Sequence, residues 1–525
     1  MNILLIFPPI TLYKFDVSTP TKSSLIGLGY IAAVLRMSDH TVKVLDCLVS
    51  SGYSYPVDEN FTRFGLSDTQ ILERIKSFNP DVVGISCMFT SYFKDAHTIA
   101  KIVKSYNKNI LVIFGGAHAT TFPDIVMKDN NVDLVVIGEG ENTICEVLER
   151  YQEGKDFNGV KGIVYRFEGK IKKEEPREYI RNLDDIPFPA WDLLEQDSAI
   201  IQQENKKNKF LMRKHLGQIL TSRGCPNECY FCSVKLIWGR RWIARSAKNI
   251  VDEIEFLKNK YNYKEFHFVD DNSSVSKQRT HEICDELLKR RLDIKLATPT
   301  GIAIGTLDKE ILVKMKRAGF YRLCFGLESG DPKTQKIIKK KIDLNKAKET
   351  IAIANKLGFW TSGTFIIGFP HETMNEIKKT ILFTKSSNLD FAIIYLLTPQ
   401  PSTEVYDILK ENGLIDLDKY IDPFSEEWFK ISITYNNGFK TQFFSNSQLQ
   451  QILSSYYREF IIYKIFSLKT YINLIKKIRS LEDLCYALSL SVIPIKMLLR
   501  IVTGKKLSNI SLIKKNKELQ HIQAE

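Results

Sequence analysis

The sequence reads Ser222-Arg-Gly-Cys225-Pro-Asn-Glu-Cys229-Tyr-Phe-Cys232, and this stretch places three of the nine cysteines of the 525-residue chain within eight residues. It follows a short apolar run, so the three thiols lie on a loop after a predicted strand. Three thiolates on one loop can hold three irons of a [4Fe–4S] cube and leave the fourth iron open for a chelating ligand. A structural zinc site needs a fourth ligand close by. His215 lies ten residues upstream, and no candidate follows at the spacing of a zinc knuckle.

The region around this loop alternates short apolar runs with helical periodicity. Apolar runs separated by helices predict parallel strands that are buried on both faces. Six such βα units predict a partial (βα)6 barrel over residues 216–415, with its chemistry at the carboxyl ends of the strands. The predicted strands are Gln218–Thr221, Glu265–Asp270, Lys295–Thr298, Tyr321–Gly326, Thr361–Ile367 and Phe391–Leu397.

The same alternation in residues 1–150 predicts a separate five-stranded, doubly wound α/β domain. Its ligand should sit at the carboxyl ends of the strands. Those ends carry small and polar residues, and paired glycines there let the backbone approach a bulky ligand closely. The predicted strands are Ile3–Phe7, Val42–Asp46, Asp81–Ser86, Ile110–Gly115 and Leu134–Gly138.

Two further regions lack this alternation. Residues 151–215 are predicted to be a linker, and residues 416–525 a basic, mainly helical C-terminal region. The net charge of the chain is 74 − 61 = +13, and residues 461–525 contribute 12 − 4 = +8 of it. This charge favours an anionic partner such as a phosphate cofactor, nucleic acid or a lipid surface, and the charge alone does not choose among them. The longest uncharged apolar run there, Leu484–Ile495, is shorter than the roughly 20 residues needed to span a bilayer.

The cysteine loop and three later motifs resemble the radical S-adenosylmethionine (SAM) superfamily. The motifs are Val269-Asp270-Asp271-Asn272, Gly326-Leu-Glu328-Ser329 and the glycine-containing strand from Gly363 to Glu372. The resemblance implies that Cys225, Cys229 and Cys232 hold the cluster and that SAM chelates its open iron. It also implies contacts to the SAM amino group, to its ribose and methionine, and to its adenine. The implied SAM-binding residues are Phe231, Asp270, Asp271, Arg245, Glu328, Ser329, Gly363 and Ile367, although an exposed salt bridge is an equal alternative for Arg245.

The N-terminal domain resembles the Rossmann-like cobalamin-binding module of one subgroup of this superfamily. Together with the linker and the barrel, the resemblance to this subgroup covers residues 1–415. It rests on Ser24–Arg36, Val83–Ser86, Gly115–Thr120 and Ile137–Asn142, with Ile186–Leu193 in the linker. Pro8–Ser24 contains no histidine, so we expect no protein imidazole below cobalt. A polar contact to the cofactor and a capping or core role are equal alternatives for His118. The implied cobalamin-binding residues are Pro9, Ser86, Gly115, Gly116, His118, Gly138, Glu139, Gly140 and Glu141.

The resemblance implies a cobalamin-dependent radical SAM methyltransferase, in which methylcobalamin methylates an unactivated carbon after a 5′-deoxyadenosyl radical has removed its hydrogen. The implied cofactors are a [4Fe–4S] cluster, SAM and cobalamin. We expect a small-molecule, lipid or peptide substrate and an electron donor such as flavodoxin or ferredoxin, and no nucleic acid. The catalytic acid or base residues are not identified. One alternative is a radical cyclase, oxidase or ring-rearranging enzyme with the same cofactors, and another is a non-enzymatic cobalamin or redox sensor.

A methylthiotransferase is a further alternative, because such enzymes hold a second cluster on three N-terminal cysteines. Cys47, Cys87 and Cys145 match that number, but Cys145 falls on the apolar side of a predicted helix, which favours buried structural cysteines.

Sparse cysteines and a start, MNILLIFPP, without a basic segment or cleavage site predict a cytoplasmic protein. In the C-terminal region, apolar residues recur at near-helical spacing beside a basic side. This pattern is typical of a helix that lies on an anionic membrane surface, here the inner face of the membrane. A core helix that packs on the barrel shows the same pattern, and we favour this second interpretation. The apolar residues are Ile461, Ile462, Ile465, Phe466, Leu468, Ile472 and Ile475, and the basic residues are Lys464, Lys476, Lys477 and Arg479.

Overall fold

A computed structural model describes residues 1–13, 25–48, 54–194 and 208–502. It divides the chain into two compact units. The first comprises Met1–Gln203 and Asp416–Asn436, and the second comprises Glu204–Ile415 and Asn437–Glu525. The C-terminal region is therefore shared between the two units.

The first unit is built on a seven-stranded sheet with the order β10-β9-β8-β7-β6-β1-β3. Five of these strands are parallel, as the sequence predicts for a doubly wound domain. A small antiparallel sheet, β2-β5-β4, was not predicted. The strands are β1 (Asn2–Phe7), β2 (Ile10–Tyr13), β3 (Thr41–Asp46), β4 (Ser54–Pro56), β5 (Phe61–Phe64), β6 (Val82–Ser86), β7 (Leu111–Gly115), β8 (Leu134–Val136), β9 (Ile163–Phe167) and β10 (Lys170–Lys173).

Helices cover both faces of this sheet, because successive residues of each buried strand enter different cores. Leu4 and Ile6 belong to one apolar cluster, and Ile3 and Leu5 belong to the other. The helices are α1 (Ile26–Met37), α2 (Asp68–Phe78), α3 (Phe93–Tyr106), α4 (Ala117–Thr121), α5 (Pro123–Val126), α6 (Glu141–Gln152), α7 (Trp191–Leu194) and, from the C-terminal region, α16 (Phe429–Asn437).

The hairpin of β9 and β10 lies inside the segment that the sequence assigned to a linker. Glu168 and Gly169 form its turn with φ values of 48° and 75°, which match the right-handed twist of an antiparallel pair. β9 pairs antiparallel with β8, so the hairpin extends the sheet. The alternation Ile-Val-Tyr-Arg-Phe before Glu-Gly was the signal that could have predicted this hairpin.

The second unit contains a six-stranded parallel sheet in the sequential order β11-β14-β15-β16-β17-β18. This is the partial barrel that the sequence predicts, and its strands begin and end within a few residues of the predicted bounds except β15 and β16, which are longer. Its strands are β11 (Leu216–Ile219), β14 (Glu265–Phe268), β15 (Lys295–Ile302), β16 (Phe320–Glu328), β17 (Trp360–Ile367) and β18 (Phe391–Leu396), and a short antiparallel pair is formed by β12 (Ser222–Gly224) and β13 (Trp242–Ala244).

Most helices of the second unit lie between the strands in the chain, and the last four follow the final strand. They are α8 (Val234–Trp238), α9 (Ala247–Tyr261), α10 (Lys277–Arg290), α11 (Lys309–Arg317), α12 (Pro332–Ile337), α13 (Leu344–Leu357), α14 (Met374–Ser386), α15 (Glu404–Glu411), α17 (Asn446–Phe466), α18 (Leu468–Lys477) and α19 (Leu481–Val502).

The last three helices contact the barrel, but most of the apolar residues that the sequence assigns to a core helix are exposed, namely Ile462, Phe466, Leu468, Ile472 and Ile475. Ile461 is buried, and so is Lys477 of the predicted basic side, which pairs with Asp390. In α17, the Tyr457 hydroxyl accepts from the backbone N–H of Ile394 and donates to its carbonyl, so it satisfies the edge of β18. In α19, the Tyr486 ring packs against Tyr321 and Trp360, which stand at the starts of β16 and β17. No helix among the described residues is long and apolar enough to cross a membrane.

Candidate active site

The cysteine loop begins at β12 and is fixed by its first glycine. Gly224 has φ +80°, and a Cβ there would lie 2.2 Å from the carbonyl oxygen of Arg241. Cys229 is buried, and Cys225 and Cys232 are partly buried. The backbone N–H of Cys232 donates to the carbonyl of Cys229 at 3.1 Å, which makes a tight turn between these two thiols. Burial raises the pKa of the Cys229 thiol to about 11 in the metal-free chain.

The aspartate pair that follows β14 accepts hydrogen bonds from the start of this loop. One oxygen of Asp270 accepts from the backbone N–H and the hydroxyl of Thr221, at 2.9 and 2.8 Å, and from the hydroxyl of Ser222 at 2.7 Å. Asp271 accepts from the backbone N–H of Gly224 at 3.1 Å. Asn272 belongs to the same motif but was not among the implied SAM-binding residues, and its side-chain amide donates to the sulfur of Cys225 at 3.7 Å. The motif is therefore part of the cysteine loop's support.

The Asp270 side chain is less accessible than its predicted role as a SAM ligand requires. Its side chain is buried, and its second oxygen has no hydrogen-bond partner among the described residues. Burial raises the pKa of this carboxyl. Asp271 is the exposed member of the pair and the better candidate for the SAM amino group.

Arg245 does not suit the role that the resemblance implied, nor the alternative of an exposed salt bridge. Its guanidinium is buried and donates to Glu253 at 2.5 Å, to the carbonyl of Leu220 at 2.9 Å and to Asn249 at 2.6 Å. These contacts anchor α9 to the strand before the cysteine loop. We therefore correct the interpretation of Arg245 from a SAM ligand to a structural residue.

The aromatic residue of the cysteine loop meets the turn after β17. The rings of Phe231 and Phe369 lie 5.7 Å apart, and those of Tyr230 and Phe369 lie 5.8 Å apart. Buried Glu372 holds this turn by accepting from the backbone N–H groups of Gly368 and Phe369 at 2.8 and 3.1 Å. The structure thus brings two sequence-distant motifs together.

At the end of β16 the two predicted SAM ligands separate. Glu328 has φ +62° and forms an ion pair with Lys340 at 3.0 Å. Ser329 is fully buried, and its hydroxyl shares a hydrogen bond with Thr380 at 3.0 Å. We retain Glu328 as a proposed SAM ligand, and we correct Ser329 to a structural residue.

β17 presents the residues next to the predicted ones. Gly363 and Ile367 are buried, and a Cβ at Gly363 would lie 2.7 Å from Leu389. Thr364 and Ile366 lie on the opposite, partly exposed face, because side chains alternate along a strand. A SAM contact by the Ile367 side chain is therefore disfavoured, and we propose Thr364 and Ile366 as the side chains of β17 that can reach SAM.

In the first unit, the predicted Pro9 and Ser86 line one small cavity at the ends of β1 and β6. Met88 and Phe89 line it too, and both have exposed side chains that the sequence analysis did not select. Exposed large apolar residues at the carboxyl ends of parallel strands are suited to cover a flat apolar cofactor.

The glycines at the neighbouring strand ends have different roles. Nothing lies within 4 Å of a Cβ built at Gly115, whereas at Gly116, with φ +103°, it would lie 2.8 Å from the Cys87 carbonyl. Gly138 has φ +73° and open space, and a Cβ at Gly140 would lie 2.9 Å from Ile31. Gly115 and Gly138 therefore leave room for a ligand, and Gly116 and Gly140 serve the fold.

The polar residues of these loops are mostly engaged within the protein. Glu139 accepts from the backbone N–H of Ile180 at 2.7 Å, and Glu141 is buried at the start of α6. His118 is buried, stacks on Phe93 and is within hydrogen-bond distance of the Thr90 hydroxyl at 3.1 Å. Burial lowers the pKa of His118 to about 3, so its ring is neutral. This geometry fits the core role for His118 better than a cofactor contact. Ser24 and residues 14–23 lie outside the described part of the chain.

The three N-terminal cysteines do not come together. Cys47 and Cys87 lie in the apolar cluster on one face of the sheet, and Cys145 packs against the cluster on the other. This separation argues against the second cluster of a methylthiotransferase. Across the described ranges, no three His, Cys, Asp or Glu side chains form a site for a single metal ion. A [4Fe–4S] cube takes one thiolate on each of three irons, so its ligands surround a cluster and not one ion.

Comparison with known proteins agrees with both halves of this geometry. The model of the radical SAM superfamily matches residues 219–384, and that of the B12 binding domain matches residues 17–148. An uncharacterized methyltransferase of Pyrococcus horikoshii is 32% identical over 463 residues, which cover 88% of this chain and 93% of that protein. The chain belongs to the cobalamin-binding radical SAM enzymes.

Two further matches extend over both units of this radical SAM enzyme. Cytidylyl-2-hydroxyethylphosphonate methyltransferase of Streptomyces wedmorensis is 31% identical over 446 residues, 79% of this chain and 83% of that protein. The structure of the cobalamin-dependent SAM radical enzyme OxsB with aqua-cobalamin and SAM bound matches with a TM-score of 0.67 and 18% identity, over 100% of this chain and 74% of that one. The latter likeness shows a common fold.

As a cobalamin-binding radical SAM enzyme, the chain uses a [4Fe–4S] cluster, SAM and cobalamin. The residues fit these groups. Three thiols share one loop with an N–H donor on one sulfur, and the B12-type strand ends keep open space at two glycines.

Proposed function

We propose that this enzyme transfers a methyl group to an unactivated carbon of a small-molecule or lipid substrate. The observation that carries the proposal is the presence, in one chain, of a supported three-cysteine loop and a B12-type sheet with open strand ends. Methylation of a carbon that is not a nucleophile needs a radical and a separate methyl donor, and these two sites supply one each. The relatives from Pyrococcus horikoshii and Streptomyces wedmorensis, both named methyltransferases, support the same assignment.

In this proposal Cys225, Cys229 and Cys232 hold the cluster, and Asp271 and Glu328 bind SAM beside it. Pro9, Ser86, Gly115 and Gly138 lie around the cobalamin. When bound, the cluster with SAM supplies the hydrogen-abstracting radical, and cobalamin supplies the methyl group. The protein's own residues, chiefly Asp270 and Asp271, hold the start of the cysteine loop in place.

The overall reaction is balanced by two molecules of SAM and two electrons. One SAM loses its methyl group and leaves as S-adenosylhomocysteine. The other is cleaved by one electron to methionine and a 5′-deoxyadenosyl radical, which takes the substrate hydrogen atom and leaves as 5′-deoxyadenosine. The substrate exchanges one hydrogen for the methyl group, and an external low-potential donor supplies both electrons.

The test is anaerobic incubation of the reconstituted enzyme with SAM and reductant. We expect about four irons per chain, the content of one cluster, and both S-adenosylhomocysteine and 5′-deoxyadenosine as products. Cys229→Ala should form no 5′-deoxyadenosine, and Cys284→Ala, a buried cysteine on α10, is the matched control. Oxidised or cyclised substrate with 5′-deoxyadenosine and no S-adenosylhomocysteine would instead establish the non-methylating alternative. The substrate itself is sought by comparing metabolites of strains with and without the gene.

We also infer a peripheral contact with anionic lipid from α18. This helix has two apolar faces. One faces the barrel, where Leu474 packs together with Ile478, the residue just beyond the end of the helix. Its other face exposes an apolar stripe at positions i, i+3, i+4 and i+7, formed by Leu468, Tyr471, Ile472 and Ile475. Exposed Lys469, Lys476 and Arg479 lie near the stripe. Apolar side chains flanked by cations are suited to an anionic lipid surface.

Vesicle sedimentation tests this contact. The intact chain should bind vesicles with anionic lipid, bind neutral vesicles weakly and dissociate at high salt, because surface attraction is screened within about a Debye length, ~10 Å at 0.1 M. Ile475→Glu should abolish binding, and Ile171→Glu, at another exposed isoleucine on β10, should not. Equal binding by Ile475→Glu, or self-association in place of vesicle binding, refutes the contact.

A further inference from the structure

A lysine whose side chain is largely buried lies beside the cysteine loop, and the sequence did not single it out. Lys340 follows α12, and its side chain is 17% exposed. Its ammonium lies 3.0 Å from Oε1 of Glu328, whose side chain is 12% exposed. Buried lysines are rare unless they are paired or functional.

The backbone around Lys340 is held in an unusual conformation. Lys339 and Lys341 have φ values of 59° and 57°, and Glu328 has 62°, although left-handed φ is uncommon for residues other than glycine. Such backbone strain persists only where surrounding contacts impose it, and it is concentrated at functional sites.

Gln335 imposes this conformation. Its side-chain amide donates to the carbonyls of Leu327 and Ser329, both at 2.6 Å, and its backbone carbonyl accepts from the N–H of Lys340 at 3.2 Å. The loop that carries Lys340 is therefore tied to the carboxyl end of β16.

The same loop is tied to the cysteine loop. The backbone N–H of Tyr230, next to Cys229, donates to the carbonyl of Ile338 at 3.3 Å. Burial lowers the pKa of Lys340, but the ion pair with Glu328 outweighs it and raises this pKa well above its ordinary value, and Cys229 and Cys225 also lie close enough to interact with the ammonium. The ammonium is thus an electrostatic neighbour of two thiols on the cysteine loop.

We propose that Lys340 is a positioning residue that supplies a fixed positive charge to the cluster and thereby sets its reduction potential, with Glu328 as a counter-charge that moderates it. The inference rests on the proposed function, in which Cys225, Cys229 and Cys232 hold the cluster. Reduction adds one negative charge to the cluster, so a nearby fixed cation stabilises the reduced form more than the oxidised form. The strained, tied loop keeps that cation in place before SAM arrives.

The experiment is a redox titration of the reconstituted full chain without SAM, followed by paramagnetic resonance of the reduced cluster. Lys340→Met should shift the midpoint to more negative potential, so that at the wild-type midpoint the ratio of reduced to oxidised cluster falls by at least about tenfold. Lys340→Arg should restore most of the ratio. Glu328→Gln should shift the midpoint in the opposite direction, because it removes a negative charge. Lys339→Met is the matched control, since this lysine pairs with Glu404 instead.

The outcomes separate the inference from the proposed function. Wild-type chain that takes up no iron refutes the cysteine assignment itself. Normal iron content with an unchanged midpoint in Lys340→Met refutes the role of Lys340. If that variant keeps its midpoint but loses SAM affinity, Lys340 is a SAM ligand and the inference is wrong. If Lys340→Met takes up too little iron to titrate, the opposite shift in Glu328→Gln and the charge-retaining Lys340→Arg decide the matter.

Discussion

At the scale of single residues, Glu372 gives the enzyme a predictable pH dependence. Its carboxyl is buried beneath the turn after β17, and burial raises its pKa to about 8. Between its ordinary pKa, 4.5, and about 8, the folded chain therefore holds a proton that the unfolded chain has released. Stability should fall as the pH rises through this window and level off above it.

Urea unfolding of the cluster-free chain at pH 5.5 and 8.5 measures this effect. Wild type should lose up to a few kcal/mol over that interval, and Glu372→Gln should lose distinctly less because it cannot ionise. Glu376→Gln is a control, since hydrogen bonds from Thr373 lower the pKa of that carboxyl to about 2 and it does not titrate in this range. An identical pH dependence for wild type and Glu372→Gln would contradict the prediction.

A second residue-scale prediction concerns Asp270. Because one of its oxygens accepts three donors from Thr221 and Ser222, Asp270→Ala leaves those groups unpaired at the start of the cysteine loop. We expect iron uptake to fall severalfold while circular dichroism stays close to that of wild type. Full iron content in Asp270→Ala would show that the loop is held by other contacts, and Asp271→Ala should weaken SAM binding with less effect on iron.

The roles of some individual residues could be predicted from the sequence, and those of others could not. The cysteines and the Asp-Asp-Asn motif were identified, because their spacing and order are specific. The environments of Arg245 and Ser329 were not predictable, since they depend on Glu253 and Thr380 from other elements. Lys340 was missed because a lysine among three consecutive lysines looks solvated in sequence.

At the scale of elements, the ends of the strands in the first unit decide whether cobalamin can enter. Gly115 ends β7 without a positive φ, and nothing lies within 4 Å of a Cβ built there. Gly115→Leu should therefore fold normally and fill the space that a cofactor needs. We expect cobalamin uptake, measured by absorbance after desalting, to fall at least about tenfold, the effect of roughly 1.4 kcal/mol.

Two controls accompany this measurement. Gly305→Leu places the same side chain at another open glycine, in the second unit, and should bind cobalamin like wild type. Gly116→Leu is expected to unfold the loop for a different reason, since its φ is +103° and the Cys87 carbonyl is 2.8 Å from the new Cβ. If the Gly115→Leu variant took up as much cobalamin as wild type, cobalamin would not bind at the end of β7.

Elements with strong periodicity were predictable, and elements that depend on pairing were not. The parallel strands of both units are short apolar runs, which identify themselves in sequence. The sheet of β2, β4 and β5 consists of strands of three or four residues, and β2 pairs with β5, whose partner residues lie 48 to 54 positions further along the chain. Similarly, β17 was located correctly, but nothing local told which of its faces lies against Leu389.

At the scale of the whole molecule, each unit has a core that includes a part of the C-terminal region. Trp428 packs on Phe61 with ring centroids 5.6 Å apart in the first unit. Tyr486 is the counterpart in the second unit, where it lies 5.4 Å from Tyr321 and 5.1 Å from Trp360. The sequence did not predict this division, because residues 416–525 were treated as one region, although Asp416–Asn436 carries a net charge of 2 − 5 = −3 and residues 461–525 carry +8.

Separate cores predict separate failures of cofactor binding. Removal of a buried aromatic ring costs about 3–5 kcal/mol, and the loss is confined to the cooperative unit that contains the ring. Trp428→Ala should therefore lower cobalamin uptake and leave iron content near wild type, whereas Tyr486→Ala should lower iron content and spare cobalamin uptake. Both quantities are measured on the same reconstituted full chain, so each variant serves as the control for the other. If either substitution abolished both cofactors together, the two units would unfold as one, and their division into independent cores would be wrong.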